Sequence, residues 1–181
     1  DSVYAEAIDN WFVFEIGADT VFNYTCAPAF ANCGDYIGHE GYNYSTVQIG
    51  EQCWFAENCR YLPEVSPSNE GSETDPYYYV YGYEGTDVEE AKATANYATY
   101  GVLYNWPAVM ETGWTQVPSS PSTICPSGWR IPSHGEFTQL TDFLGGESVA
   151  GYAMKSTSGW VFGLNPPGNG SNSSGFNGLP G

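Results

Sequence analysis

The sequence predicts an α+β fold in which short strands and few helices are joined by long loops. Three observations carry this reading. Runs of aromatic and β-branched residues cluster in the first half, among them WFVFEI at 11–16, TVFNYT at 20–25 and YYYVYGY at 77–83. One segment, 133–144, has a complete helix signature. The connections are rich in Gly, Pro and Ser, and 22 Gly with 12 Pro break up any long helix or continuous sheet. At 181 residues, one domain with a short annex fits better than two domains.

The elements follow in order. Residues 11–16 and 20–25 are expected as strands joined by a turn at Gly17-Ala18-Asp19. Val13 and Phe14 are adjacent and apolar, so both faces are expected to be covered. Residues 26–41 hold two cysteines and Pro28 and read as a pinned loop. YNYSTVQIG and EQCWFAEN form a hairpin turning at Gly50-Glu51. Residues 63–76 are an acidic loop with three prolines, and 77–83 is a strand with tyrosines on both faces. A short helix is expected within 87–100, starting from Thr86 or Asp87. Residues 112–127 read as loop.

The clearest helix comes next. Ser133 at the N-cap and Glu136 three residues on form a capping box, each satisfying an exposed backbone donor of the other. Phe137, Leu140, Phe143 and Leu144 share one face, and Gly145-Gly146 ends the helix because glycine accepts the left-handed conformation. Beyond it, 151–181 is Gly/Asn/Ser-rich, anchored by Trp160, Phe162 and Phe176. No internal repeat is present.

Charge excludes two function classes. Four Lys+Arg against 21 Asp+Glu leave a net charge of −17. A nucleic-acid partner held through its phosphates is excluded, because four cations cannot supply the usual counterion release. Docking on anionic lipid is disfavoured for the same reason. No apolar run is long enough for a membrane span. Six Trp, 15 Tyr and nine Phe supply far more burial than disordered chains carry. The chain starts at Asp1 and is read as a mature or excised segment.

The cysteines at 26, 33, 53, 59 and 125 contain no C-x-x-C pair, so a secreted disulfide framework is expected over a zinc site. Spacing leaves all three pairings of Cys26, Cys33, Cys53 and Cys59 open. Cys125 is the odd one, either free or paired outside this chain.

Catalytic signatures are lacking. His39 and His134 are far apart, and no metalloprotease, nucleophile-elbow or phosphate-loop motif occurs. Cys125 is followed by Pro126-Ser127-Gly128-Trp129, a packed turn that offers no base. The acidic clusters Glu70/Glu73/Asp75, Glu84/Asp87 and Glu89-Glu90 lack the calcium-loop spacing. They read as a solvated surface, with a calcium site as the functional alternative. The tyrosines of 77–83 read as core or edge residues, with sugar stacking as the alternative for any left exposed. Asn23, Asn43, Asn169 and Asn172 stand in N-glycosylation patterns. Ser2 and Thr20 stand in Asp-Ser/Thr-aliphatic patterns that resemble the O-glycosylation sites of secreted proteins in the Bacteroidota.

Three stretches together resemble a family: GYNYSTVQIGEQCWFAENCRYL (41–62), YGVLYNWPAVM (100–110) and CPSGWRIPSHGEFTQLTDFLGG (125–146). They are similar to the Fibrobacter succinogenes major paralogous domain, and the tail MKSTSGW…GNGSNSSGFNGLPG (154–181) resembles its next block. The resemblance divides the chain into a β-rich N-terminal segment, 1–41, with a disulfide-pinned loop, and a lectin-like body, 42–181. It implies a C-type-lectin-like or formylglycine-generating-enzyme-like fold with two helices, small antiparallel sheets and long loops. The helix at 133–144 would be the second of the two, and the first would lie near 88–104.

The resemblance also implies chemistry and place. The family usually has Leu at the position of Cys59, which suggests an added Cys26–Cys59 bridge beside Cys33–Cys53. In lectin-like folds, the cysteine at the position of Cys125 commonly pairs with a later one, so Cys125 is expected to be unpaired in this chain. The body is accordingly read as lacking its closing strands, to be supplied by further sequence or a neighbouring subunit. The function expected is a non-enzymatic, secreted or cell-surface binding or adhesion module, with carbohydrate as ligand. The alternative is a subunit of an extracellular filament, with residues 1–30 docking on a neighbour. A formylglycine-generating oxidoreductase is a minor alternative, since its later reactive cysteines have no counterpart after Cys125.

Overall fold

Alternation along the chain from 46 to 55 builds the wall that divides the molecule. In a computed structural model the described residues are 33–110, 124–161 and 168–180, with the backbone of three N-terminal strands. Strands β6 (Thr46–Ile49) and β7 (Gln52–Phe55) pair antiparallel, with Val47 opposite Trp54 and Thr46 opposite Phe55. Successive side chains point to opposite faces of a strand. Val47, Ile49 and Trp54 therefore enter one core with Leu140, Ala150, Met154 and Phe176, while Phe55 and Cys53 enter the other. In that larger core Phe55 lies between Tyr44 and Trp129, at ring-centroid distances of 4.6 and 4.5 Å.

Among the described residues every strand is short and the strands pair antiparallel, with one isolated parallel bridge between Lys155 and Gly178. Strands β1 (Val13–Ile16) and β2 (Asp19–Phe22) form the expected N-terminal hairpin. β2 then pairs with β9 (Leu103–Asn105), whose other neighbour is β8 (Tyr78–Tyr79), giving the order β1-β2-β9-β8. β3 (Ala27–Pro28) pairs with β10 (Trp129–Arg130). β4 (Ile37–His39) pairs with β5 (Tyr42–Tyr44) through a tight turn in which Glu40 and Gly41 both have positive φ. Strands of the N-terminal segment thus take part in three sheets shared with the body, and the region expected as pinned loop carries two strands.

Five helices lie among the described residues, where the resemblance implied two. α1 (Val88–Lys92) is capped by Asp87, which accepts from the backbone of Glu89 and Glu90. α2 (Ala95–Tyr100) is capped by Thr94, so the single helix expected within 87–100 is split by a second capping side chain. α3 (Trp106–Met110) carries Pro107 in its first turn, where a missing N–H costs nothing. α4 (His134–Phe143) has the expected capping box, with Ser133 and Glu136 serving each other. α5 (Glu147–Met154) begins at Gly146, whose φ of 100° lets one glycine pair end α4 and start the next helix. The expected strand at 77–83 shortens to Tyr78–Tyr79, because Tyr83 N–H turns back to the Val80 carbonyl. The architecture is α+β with small antiparallel sheets.

Candidate functional site

The residues of the recurring motifs build the scaffold. Asn105 is fully buried and uses all four of its hydrogen-bonding positions. Its Oδ1 accepts from the N–H of Tyr77 at 2.8 Å and of Ala108 at 3.1 Å. Its Nδ2 donates to the carbonyls of Ser72 at 3.0 Å and Asp75 at 2.9 Å. One side chain therefore clamps the acidic loop 63–76 onto the start of α3. Gly101, at φ 70°, lies so close to the Cys59 carbonyl that a Cβ there would sit 2.4 Å from that oxygen. Asn58 Nδ2 donates to the Tyr100 carbonyl and Val102 N–H to the Cys59 carbonyl, closing the same seam. Arg130 pairs with Glu136, fixing α4 against β10.

A second polar cluster surrounds Glu57. Its carboxylate accepts from the Tyr42 hydroxyl at 2.5 Å, the Ser45 N–H at 2.9 Å and the Ser45 hydroxyl at 2.7 Å. Arg60 stands 3.6 Å from it and 4.4 Å over the Tyr42 ring. Burial works against the charged carboxylate, but these donors and Arg60 outweigh it and hold the carboxyl below its ordinary range. Burial and the bond to Glu57 raise Tyr42. The cluster ties β5 to the seam and presents no reactive group.

The cysteines resolve in part. Cys33 is bonded to Cys53, as expected, with Cα atoms 5.6 Å apart. Thr46 reinforces this pin, accepting from Gly34 N–H and donating to the Asp35 carbonyl. The expected Cys26–Cys59 bridge does not form, because Cys59 is a free thiol sealed in the larger core. Its Sγ donates to the Ile124 carbonyl at 3.5 Å. Burial raises its pKa, so the neutral thiol persists as a small apolar filler. Burial, with Cys59 alongside, also pushes up the Tyr44 and Tyr104 hydroxyls. Cys125, expected to be unpaired, is disulfide-bonded and buried, and its partner lies outside the described residues. Cys26 lies outside them as well.

The acidic clusters, for which calcium was the alternative reading, are spent separately. Asp87 caps α1, Glu90 accepts from the Tyr83 hydroxyl, Glu84 accepts from Ser68, and Asp75 accepts from the Ser72 hydroxyl. Among the described residues no group of three or more acidic, His or Cys side chains is close enough to hold a metal. His39 packs on Tyr61, and His134 opens α4.

Of the N-glycosylation patterns, Asn43 is exposed on β5. Asn169 accepts from Trp160 N–H, and Asn172 accepts from Asn177 N–H with its own φ at 48°, so both side chains serve the fold. Ser2 and Asn23 lie outside the described residues. Thr20 is placed only by its pairing opposite Glu15.

Beside the exposed Tyr36 and Trp106, two groupings with exposed aromatic rings stand out among the described residues, and sequence reasoning anticipated only one. Tyr81 is 55% exposed, and its ring meets Tyr100 edge-on at 6.0 Å. Polar groups anchor the turn that carries Tyr81. Asn96 Nδ2 donates to the Tyr81 carbonyl, and the Glu84 carboxylate takes both the N–H and hydroxyl of Ser68 at 2.8 Å. Those two bonds hold Glu84 ionised below its ordinary range. The turn 81–85 is thereby tied to α2 on one side and to the acidic loop on the other. The second surface is apolar: Phe143, Val149 and Tyr152 are exposed on α4 and α5. Phe143 ends the apolar face read for α4, but α5 was not expected, so no pattern in the sequence brought these three residues together.

Comparison with known protein families matches residues 47–181 to the Fibrobacter succinogenes major domain. No curated protein and no solved structure matches.

Proposed function

The chain belongs to the Fibrobacter succinogenes major domain family, and from that premise we propose that it is a non-enzymatic extracellular binding module whose ligand is carbohydrate. The observation that carries the reading is the ledge of Tyr81 and Tyr100 set among hydrogen-bonding side chains. Sugar recognition needs an aromatic face for the apolar side of a pyranose and polar groups for its hydroxyls. The apolar helix surface offers only the first of these. The clamped loop and tied turn favour binding, since a preformed site loses little freedom on capture. The motif residues Asn58, Gly101, Asn105 and Glu136 each serve the fold, and the described free thiol is buried and neutral, which supports binding over chemistry. The Cys33–Cys53 bridge supports an oxidising, extracellular setting.

The test is calorimetry against a panel of plant and microbial oligosaccharides. Tyr81→Ala and Tyr100→Ala are expected to weaken binding by about tenfold each, the loss of about one good aromatic contact. Phe143→Ala on the helix surface leaves it unchanged. A silent panel, or affinity indifferent to both tyrosines, removes the proposal.

A second reading is a filament subunit. It is favoured by strands β1 and β2, which precede the family match and extend the sheet of β8 and β9. Exchange of such a hairpin between copies would join subunits. Electron microscopy of purified protein distinguishes the two readings, regular fibres favouring the subunit and monodisperse particles the binding module.

A further inference from the structure

We infer that the tyrosine ledge selects neutral carbohydrate and turns away acidic glycans. This rests on the sugar-binding reading above and narrows it to a ligand class. The chain has four cationic side chains in all, three of them in ion pairs with carboxylates and one buried. Arg60 is with Glu57, Lys92 with Glu89, and Arg130 with Glu136. Lys155 is buried, with its Nζ 4.6 Å over the Trp160 ring. A uronate carboxylate or a sulfate needs a guanidinium, an ammonium or a fork of N–H donors to replace its hydration. Beside the rings the Asn96 amide gives one N–H to the Tyr81 carbonyl and keeps one, a single neutral donor and neither a cation nor a fork.

The turn that presents Tyr81 is instead ringed by acceptors, through Glu84 within it and Glu90 bonded to its Tyr83. Glu84 takes Ser68 and Glu90 takes Tyr83 at 3.1 Å, and an ionised carboxylate has about four lone-pair sites, so both retain capacity. Sugar hydroxyls donate to such groups readily. An anionic sugar meets the same groups as like charges. The selectivity is therefore electrostatic, and it weakens as the screening length falls from about 8 Å at physiological salt to about 3 Å at 1 M.

The experiment compares neutral glucan, xylan and mannan hexasaccharides with uronate hexasaccharides by calorimetry, on the intact chain, at low and at 1 M salt. Uronates are expected to bind at least about tenfold more weakly at low salt, with the gap narrowing to about threefold at high salt. The E84Q/E90Q variant keeps acceptors for Ser68 and Tyr83 and is expected to narrow the gap at low salt in the same way. Uronate binding equal to or tighter than neutral binding overturns the inference and leaves the sugar reading standing. A gap that responds neither to salt nor to the variant overturns it too, by placing the preference in shape. Binding of neither class overturns the inference and the sugar reading together.

Discussion

Replacing Asn105 by alanine removes the clamp between the acidic loop and α3. Four backbone groups lose their partner: the N–H groups of Tyr77 and Ala108 and the carbonyls of Ser72 and Asp75. The two carbonyls lie on a loop whose neighbours Glu73 and Thr74 are exposed, so water can replace the lost donor. The two N–H groups are less fortunate, because Ala108 is fully buried and Tyr77 is partly so. An unsatisfied buried group costs about 1–3 kcal/mol, so the variant is expected to lose about 2–5 kcal/mol. With a urea slope of about 1–3 kcal/mol per molar, the unfolding midpoint should fall by about 1–2 M. Limited proteolysis should cleave first within 63–76. Asn105→Asp separates the two halves of the clamp: it keeps an acceptor for Tyr77 and Ala108 but cannot donate to the loop, so loop cleavage should rise with a smaller fall in midpoint. A midpoint within about 0.3 M of the parent for Asn105→Ala, with the loop still protected, would refute the reasoning.

Two further outcomes follow from the same seam. Gly101→Ala places a Cβ against the Cys59 carbonyl at a φ of 70°, so the backbone must move; a loss of at least about 2 kcal/mol is expected by denaturant titration, and a near-neutral result contradicts the close approach. Glu57 is held below its ordinary pKa of 4.5, so its stabilising contribution is complete at neutral pH and is lost as pH falls below 4.5 through the folded-state value. The stability difference between the parent and Glu57→Gln should therefore be largest near neutrality and shrink in acid; comparing the two chains cancels the relief of overall self-repulsion, and a constant difference across that range would contradict the sign.

Features set by residues three or four apart were readable. The Ser133–Glu136 box, the Gly145-Gly146 stop and the hairpin through Gly50-Glu51 stand where the pattern puts them. The single helix within 87–100 became two because Thr94, unremarkable in the pattern, caps a second start. The strand at 77–83 shortened because its tyrosines serve three environments: Tyr78 in the large core, Tyr79 against Leu103, and Tyr81 in solvent. The candidate site was half visible. The tyrosine-rich run read as core or edge and offered exposed rings only as the alternative; which ring emerges depends on the turn at 80–83 and on Tyr100, 19 residues away.

The sequence by itself determined the α+β class, the strongly acidic surface, the capped helix and the family, because composition, charge and short-range capping act without reference to distant residues. Only the tertiary structure decided that Cys59 stays a free thiol while Cys125 is bonded, that Asn105 clamps a loop some 30 residues before it, and that the N-terminal strands complete a sheet of the body. These depend on which distant groups are brought within bonding distance. Burial then sets their chemistry, keeping one sulfur neutral and obliging one amide to satisfy every partner it excludes from water.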